Sequence, residues 1–106
     1  MRPLERQEEV YDAIISLQHI VVEVSGAPVR KVSKLVDSLK QSLANEYPTR
    51  FHKASAMKAA AVEVRELFVG YGLQRFTKSP SGNLMRAYIR LQQALEDYAI
   101  SLGWHP

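Results

Sequence analysis

The sequence contains no cysteine, which excludes a disulfide framework, a thiolate nucleophile and a cysteine zinc site. It also lacks any apolar run that approaches the roughly 20 residues a membrane-spanning helix needs. Its first residues are charged instead of forming the apolar region of a signal peptide. The five glycines and five prolines are too few for a collagenous or low-complexity chain. These absences predict a folded domain in the cytoplasm without membrane contact.

Motifs that carry chemistry are also missing. The glycines are single or split, so the sequence has neither a nucleotide-phosphate loop nor a dinucleotide-binding fingerprint. His19, His52 and His105 lie on different segments without the spacing of a helical zinc site. The Glu-x-x-His repeat of di-iron bundles does not occur. We therefore expect no enzymatic activity, no cofactor and no metal, and no motif points to a particular family.

Apolar residues at helical spacing are what the sequence does contain. Its 106 residues, 46% of them hydrophobic, fit a single domain over residues 1–106. Four segments repeat apolar residues at helical spacing, three of them at alternating steps of three and four, and each ends near proline or glycine. The predicted helices run from Pro3 to Val24, from Pro28 to Tyr47, from Thr49 to Gly70, and from Ser79 or Ser81 to Gly103.

These apolar stripes define the predicted core. Four helices of similar length with short connections predict an all-α, antiparallel up-down-up-down four-helix bundle. Helix three is rich in alanine, so its backbone should approach its neighbours closely, and the tyrosines at core positions should bring their hydroxyls to the bundle edge. The stripes are Val10, Ile14, Leu17, Val21 and Val24; Val32, Leu35, Val36, Leu39 and Leu43; Ala54, Met57, Ala61, Val64, Phe68 and Tyr71; and Leu84, Tyr88, Leu91, Leu95, Tyr98 and Leu102.

Helix one carries apolar residues beyond its main stripe, namely Ala13, Ile15, Ile20 and Val22. One interpretation is that helix one is simply the most buried member of the bundle. The other is a second apolar face for docking or dimerisation. Because Ile15 and Val22 lie seven residues apart on one side, the second interpretation predicts a homodimer through these two residues.

The net charge of +3 is divided unevenly along the chain. Residues 1–24 hold two basic and five acidic side chains, a net charge of −3. Residues 25–90 hold 12 basic and four acidic side chains, a net charge of +8, and Glu96 and Asp97 give the remainder −2. An up-down bundle has its first and third connections at the same end, where the basic residues would gather. These are Arg30, Lys31, Lys34, Arg75, Lys78, Arg86 and Arg90.

Two functions compete for this pattern. The first is a non-enzymatic binding or assembly subunit whose basic connections contact an anionic partner, foremost the nucleic-acid backbone. The second is a protein–protein interaction adaptor that docks through helix one, with the basic residues merely solvated. An acidic stripe on helix one also offers pairing with basic residues of a second copy. It comprises Glu5, Glu9, Asp12, Ser16, His19 and Glu23.

Overall fold

The chain forms four α-helices in a computed structural model that describes residues 3–22, 29–70 and 82–105. All four predicted helices are present and no strand occurs within these ranges, so the predicted all-α fold is confirmed. The helices begin and end within a few residues of the predicted bounds. They are α1 (Pro3–Val21), α2 (Val29–Ala44), α3 (Arg50–Gly70) and α4 (Gly82–Ser101).

The core consists of the apolar stripes that the sequence predicts. Every stripe residue of α2 and α4 is buried, as are the four described members of the α1 stripe. On α3 the stripe is buried from Ala54 to Val64, and Phe68 packs against the core while half-buried. Val24 and Tyr71 lie outside the described residues. All the additional buried hydrophobic positions are alanines: Ala13, Ala60, Ala87, Ala94 and Ala99.

Helix α4 packs along both α1 and α3, whereas α2 contacts α1 and α3 less closely. Within the described residues, α1 makes no close backbone contact with α3, and α2 makes none with α4. The helices therefore form a four-helix bundle in which α1 lies diagonal to α3 and α2 lies diagonal to α4. The buried alanines explain the close approach, because the distance between two helix axes depends on the side chains at their contact.

Side-chain contacts give the direction of α4 relative to α1. Near the start of α1, the Arg6 guanidinium contacts Asp97 Oδ2 near the end of α4 at 3.4 Å. Later in α1, Ser16 accepts a hydrogen bond from Arg90, which lies earlier in α4. As the chain advances along α1 it moves back along α4, so these two helices run in opposite directions.

The same reversal relates α3 to α4. Lys58 pairs with Glu96 at 2.8 Å, whereas Phe68, further along α3, packs its ring on Tyr88, which lies earlier in α4. Thus α4 runs opposite to both of its close neighbours. The direction of α2, and with it the complete up-down-up-down arrangement, stays a prediction.

Two helix ends have capping hydrogen bonds that are typical of the residues found there. At the start of α3, the Thr49 hydroxyl oxygen accepts the backbone N–H of His52 at 3.3 Å, as expected of an N-cap threonine. After α4, Gly103 has a φ of 104° and its N–H bonds to the Ile100 carbonyl at 3.0 Å. The Trp104 N–H bonds to the Ala99 carbonyl at 3.0 Å, which completes a Schellman motif.

We expect Gly103→Ala to lower the free energy of unfolding by about 1–2 kcal/mol, because an L side chain rarely adopts this positive φ. The new Cβ would also lie 2.7 Å from Phe51 Cε1, so the Phe51 ring would have to move. Urea unfolding followed by circular dichroism measures the change.

Gly70→Ala is the matched control, because Gly70 is the last residue of α3 and a Cβ there would meet nothing within 4 Å. Alanine favours the helix over glycine, so this variant should equal the native protein or gain up to about 1 kcal/mol. Equal losses in the two variants would contradict a specific need for glycine at position 103.

Candidate functional site

The outer face of α2 carries the first group of predicted anion-binding residues. The five core residues of α2 all face inward, which leaves Arg30, Lys31 and Lys34 exposed to solvent. They lie within the first two turns, and the first turn contains no acidic residue. Lys34 lies four residues after Arg30 and three after Lys31, so it neighbours both of them on the helix surface. We refer to these three side chains as the α2 cations.

None of the α2 cations forms an ion pair within the part of the chain that the structure describes. The ion pairs found there join α1, α3 and α4. Arg6 contacts Glu9 at 3.5 Å and Asp97 at 3.4 Å, and Lys58 contacts Glu96 at 2.8 Å. The α2 cations therefore remain accessible to an external anion.

Arg86 and Arg90 form a second exposed group, one turn apart on α4. Arg90 faces α1, where it donates a hydrogen bond to Ser16 Oγ at 3.0 Å. Both arginines line a groove of about 550 Å³, and two carboxylates share its lining, so the groove has mixed charge. Its other lining residues are Glu9, Ile89, Gln93, Ala94 and Asp97.

The described residues do not join these two groups into one surface. Helices α2 and α4 are diagonal and make no close backbone contact with each other there. Arg75 and Lys78, which the sequence places in the connection between α3 and α4, lie outside the described residues. A continuous basic surface containing all seven predicted residues stays a prediction.

Ile15 and Val22, the predicted self-association residues, are both exposed, with 50% and 67% of their surface accessible. Helical spacing places both of them about a third of a turn around the helix from Ser16, which faces α4. Of the other residues in the predicted second face, Ala13 is buried and Ile20 is half-buried against the core. The second face is therefore narrower than predicted, and its role in self-association stays a prediction.

A larger set of exposed apolar side chains lies on α3 and α4 and was not predicted from the sequence. The detectable signal was spacing, because positions 51, 62 and 69 are separated by 11 and seven residues and so fall on one side of a helix. Positions 89 and 100 repeat the interval of 11 on α4. The set comprises Phe51, Val62, Val69, Ile89 and Ile100.

Tyr88 departs from the expected position of a core tyrosine hydroxyl. The Tyr98 hydroxyl reaches the bundle edge and donates to Gln7 Oε1 at 2.8 Å, as expected. The Tyr88 hydroxyl is instead buried, with no hydrogen-bond partner among the described residues, while its ring packs 5.6 Å from that of Phe68. Burial raises the pKa of Tyr88 because the phenolate would lose its hydration. Tyr88 therefore stays neutral and serves packing.

Within the described ranges, no group of three or more His, Asp or Glu side chains is placed to hold a metal ion. None of the helices there has the combination of length and hydropathy that crossing a membrane requires. No protein-family model matches the chain, and no curated protein or solved structure is significantly similar to it. Its function is therefore inferred from the surface residues described above.

We expect Tyr88→Phe to raise the free energy of unfolding by about 1 kcal/mol, because it removes a buried hydroxyl that has no partner among the described residues. Tyr98→Phe is the matched control, since it removes a hydroxyl that is hydrogen-bonded to Gln7 and should cost about 1 kcal/mol. Urea unfolding at neutral pH compares the two, and a loss of stability in both variants would show that the Tyr88 hydroxyl has a partner.

Alkaline pH provides an independent check on Tyr88. The pKa of Tyr88 is raised in the folded state, so the stability linked to this group is complete below the ordinary tyrosine pKa of 10.0 and falls as pH rises above it. Native protein should therefore lose more stability than Tyr88→Phe between neutral and strongly alkaline pH. Parallel losses would mean that the hydroxyl ionises normally.

Proposed function

We propose that this protein is a non-enzymatic binding subunit whose α2 cations contact an anionic partner, with the phosphate backbone of nucleic acid as the leading candidate. The observation that carries the proposal is that Arg30, Lys31 and Lys34 are exposed on adjacent turns without any ion pair in the described residues. Cations that have no internal partner keep their full attraction for an external anion.

A nucleic-acid backbone suits these residues because its charges are closely and regularly spaced. Several lysines and arginines on neighbouring helix positions can meet several phosphates, and each contact releases condensed counterions. Phosphate contacts carry no direct sequence information, so binding should tolerate many sequences. In this proposal Arg75, Lys78, Arg86 and Arg90 extend the contact beyond α2. The lack of cysteine suits a cytoplasmic location.

A second candidate is an interaction adaptor that docks through α1 on another protein or on a second copy of the chain. The observation in its favour is that two apolar side chains of this region are exposed, Ile15 to 50% and Val22 to 67%. If the protein is such an adaptor, the α2 cations are hydrated and bind no partner, so no salt-sensitive binding to a polyanion is expected.

We expect native protein to bind single- or double-stranded nucleic acid with an affinity that falls steeply as salt rises. Lys31→Glu combined with Lys34→Glu should weaken binding at least about tenfold near 0.1 M salt. The slope of log affinity against log salt concentration should become shallower by about two, because two phosphate contacts are lost. Fluorescence anisotropy with labelled oligonucleotides of unrelated sequence, at several salt concentrations, measures both quantities.

Arg65→Glu is the control for the charge change, because Arg65 is an exposed cation of α3 outside the proposed contact. It should weaken binding much less than the reversal of the two lysines. Circular dichroism should show that all variants keep their helices, since exposed substitutions cost little stability. Native protein without salt-sensitive binding would rule out the nucleic-acid proposal and leave the adaptor.

A further inference from the structure

Helices α3 and α4 expose a set of large apolar side chains that the proposed function does not use. Phe51 is 59% exposed, Val62 42% and Val69 55%, all on α3. On α4, Ile89 is 51% exposed and Ile100 is 53% exposed. Single exposed apolar residues are normal on a protein surface, but a contiguous set marks an interaction site.

The Lys58–Glu96 ion pair shows that the two helices present these side chains on one face. Lys58 lies seven residues after Phe51 and four before Val62, which places it in the same stripe of α3. Glu96 lies seven residues after Ile89 and four before Ile100, the same register on α4. Because Lys58 Nζ is 2.8 Å from Glu96 Oε1, the two stripes lie side by side. We refer to them together as the α3–α4 face.

The Phe51 ring confirms that the stripes meet at one end of this face. A Cβ on Gly103, just past the end of α4, would lie 2.7 Å from Phe51 Cε1. Phe51 therefore reaches across to the last turns of α4, where Ile100 is exposed. Since α3 and α4 run in opposite directions, Val69 and Ile89 lie toward the other end of the face.

We infer that the α3–α4 face binds a second copy of this chain. The Lys58–Glu96 pair at the centre of the face is neutral, so the centre attracts neither a polyanion nor a strongly basic peptide. Arg65, exposed three residues after Val62 and four before Val69, adds one cation to the α3 stripe, and its long side chain can carry that charge to the rim of the contact. Apolar side chains from both helices occur at both ends. A two-fold rotation about the centre therefore places apolar ends on apolar ends and the neutral pair near its own copy, which is the complementarity an isologous dimer needs.

The size of the face is sufficient for a modest dimer. Helix α3 has 21 residues, and a helix of this length spans about 30 Å. Two helices packed side by side present a face about 20 Å wide, so the contact would bury about 600 Å² on each copy. A total of about 1,200 Å² lies at the low end of specific protein interfaces. The dimer is therefore concentration-dependent and leaves α2 uncovered.

The test compares two double variants that make the same chemical change on different helices. Val62→Lys with Ile89→Lys places two charges on the α3–α4 face, whereas Ile15→Lys with Val22→Lys places them on α1. Sedimentation velocity over a range of concentrations should show a native dimer. The α3–α4 variant should raise the dissociation constant at least tenfold, and the α1 variant should sediment like native protein.

Three results would overturn the inference. Native protein could remain a monomer at several hundred micromolar, the α1 variant could be the one that dissociates, or the α3–α4 variant could stay dimeric while circular dichroism shows it folded. Monomeric native protein that floats with lipid vesicles through this face would instead assign the face to a membrane surface. The measurement needs no nucleic acid, so its outcome is independent of the proposed function.

Cross-linking keeps the inference testable if the charged variant fails to fold. The chain has no native cysteine, so Val62→Cys introduces a unique thiol on the α3–α4 face and Val22→Cys introduces one on α1. A short bismaleimide should join the Val62→Cys protein into covalent dimers much more efficiently. Equal yields from the two variants, or a higher yield from Val22→Cys, would contradict the inference.

Discussion

The arrangement of the four helices depends on how closely α4 approaches its neighbours, and alanine is what permits that approach. Every buried hydrophobic position outside the predicted apolar stripes is an alanine, and these alanines lie on α1, α3 and α4. A side chain that ends at Cβ lets two helix axes come closer than valine or leucine does. Helix α2 buries only valine and leucine, and it lies less close to its neighbours than α4 does.

The charges on the surface follow from this difference in packing. Where α4 lies close to α1 and α3, side chains bridge adjacent helices, as Arg6 does to Asp97 and Lys58 to Glu96. Helix α2 stands apart, and its cations reach no carboxylate among the described residues. The size of the core residues thus decides which surface charges are satisfied inside the molecule. It also leaves the α2 cations and the α3–α4 face on separate elements.

Most of the fold was predictable because burial of apolar side chains is strong enough to fix which side of each helix faces inward. The stripe of α2, from Val32 to Leu43, is buried without exception. The sequence could not predict which helices are neighbours and which are diagonal, since that depends on packing between elements. Because α2 and α4 are diagonal, Arg30 and Arg86 lie on helices that do not contact each other within the described residues. Periodicity also could not show that Val62 is exposed while Val64 is buried, because both residues are valine and the sequence alone does not record exposure.

Trp104 gives the molecule a built-in optical signal. It is the single tryptophan of the chain, and it packs against the core beyond α4 with the Lys58 ammonium 4.8 Å from its ring centroid. Its emission therefore depends on the contact between this end of α4 and α3, whereas far-ultraviolet circular dichroism averages over all four helices. If the fluorescence changes at a lower denaturant concentration than the circular dichroism, this corner opens as a separate unit before the remaining bundle melts.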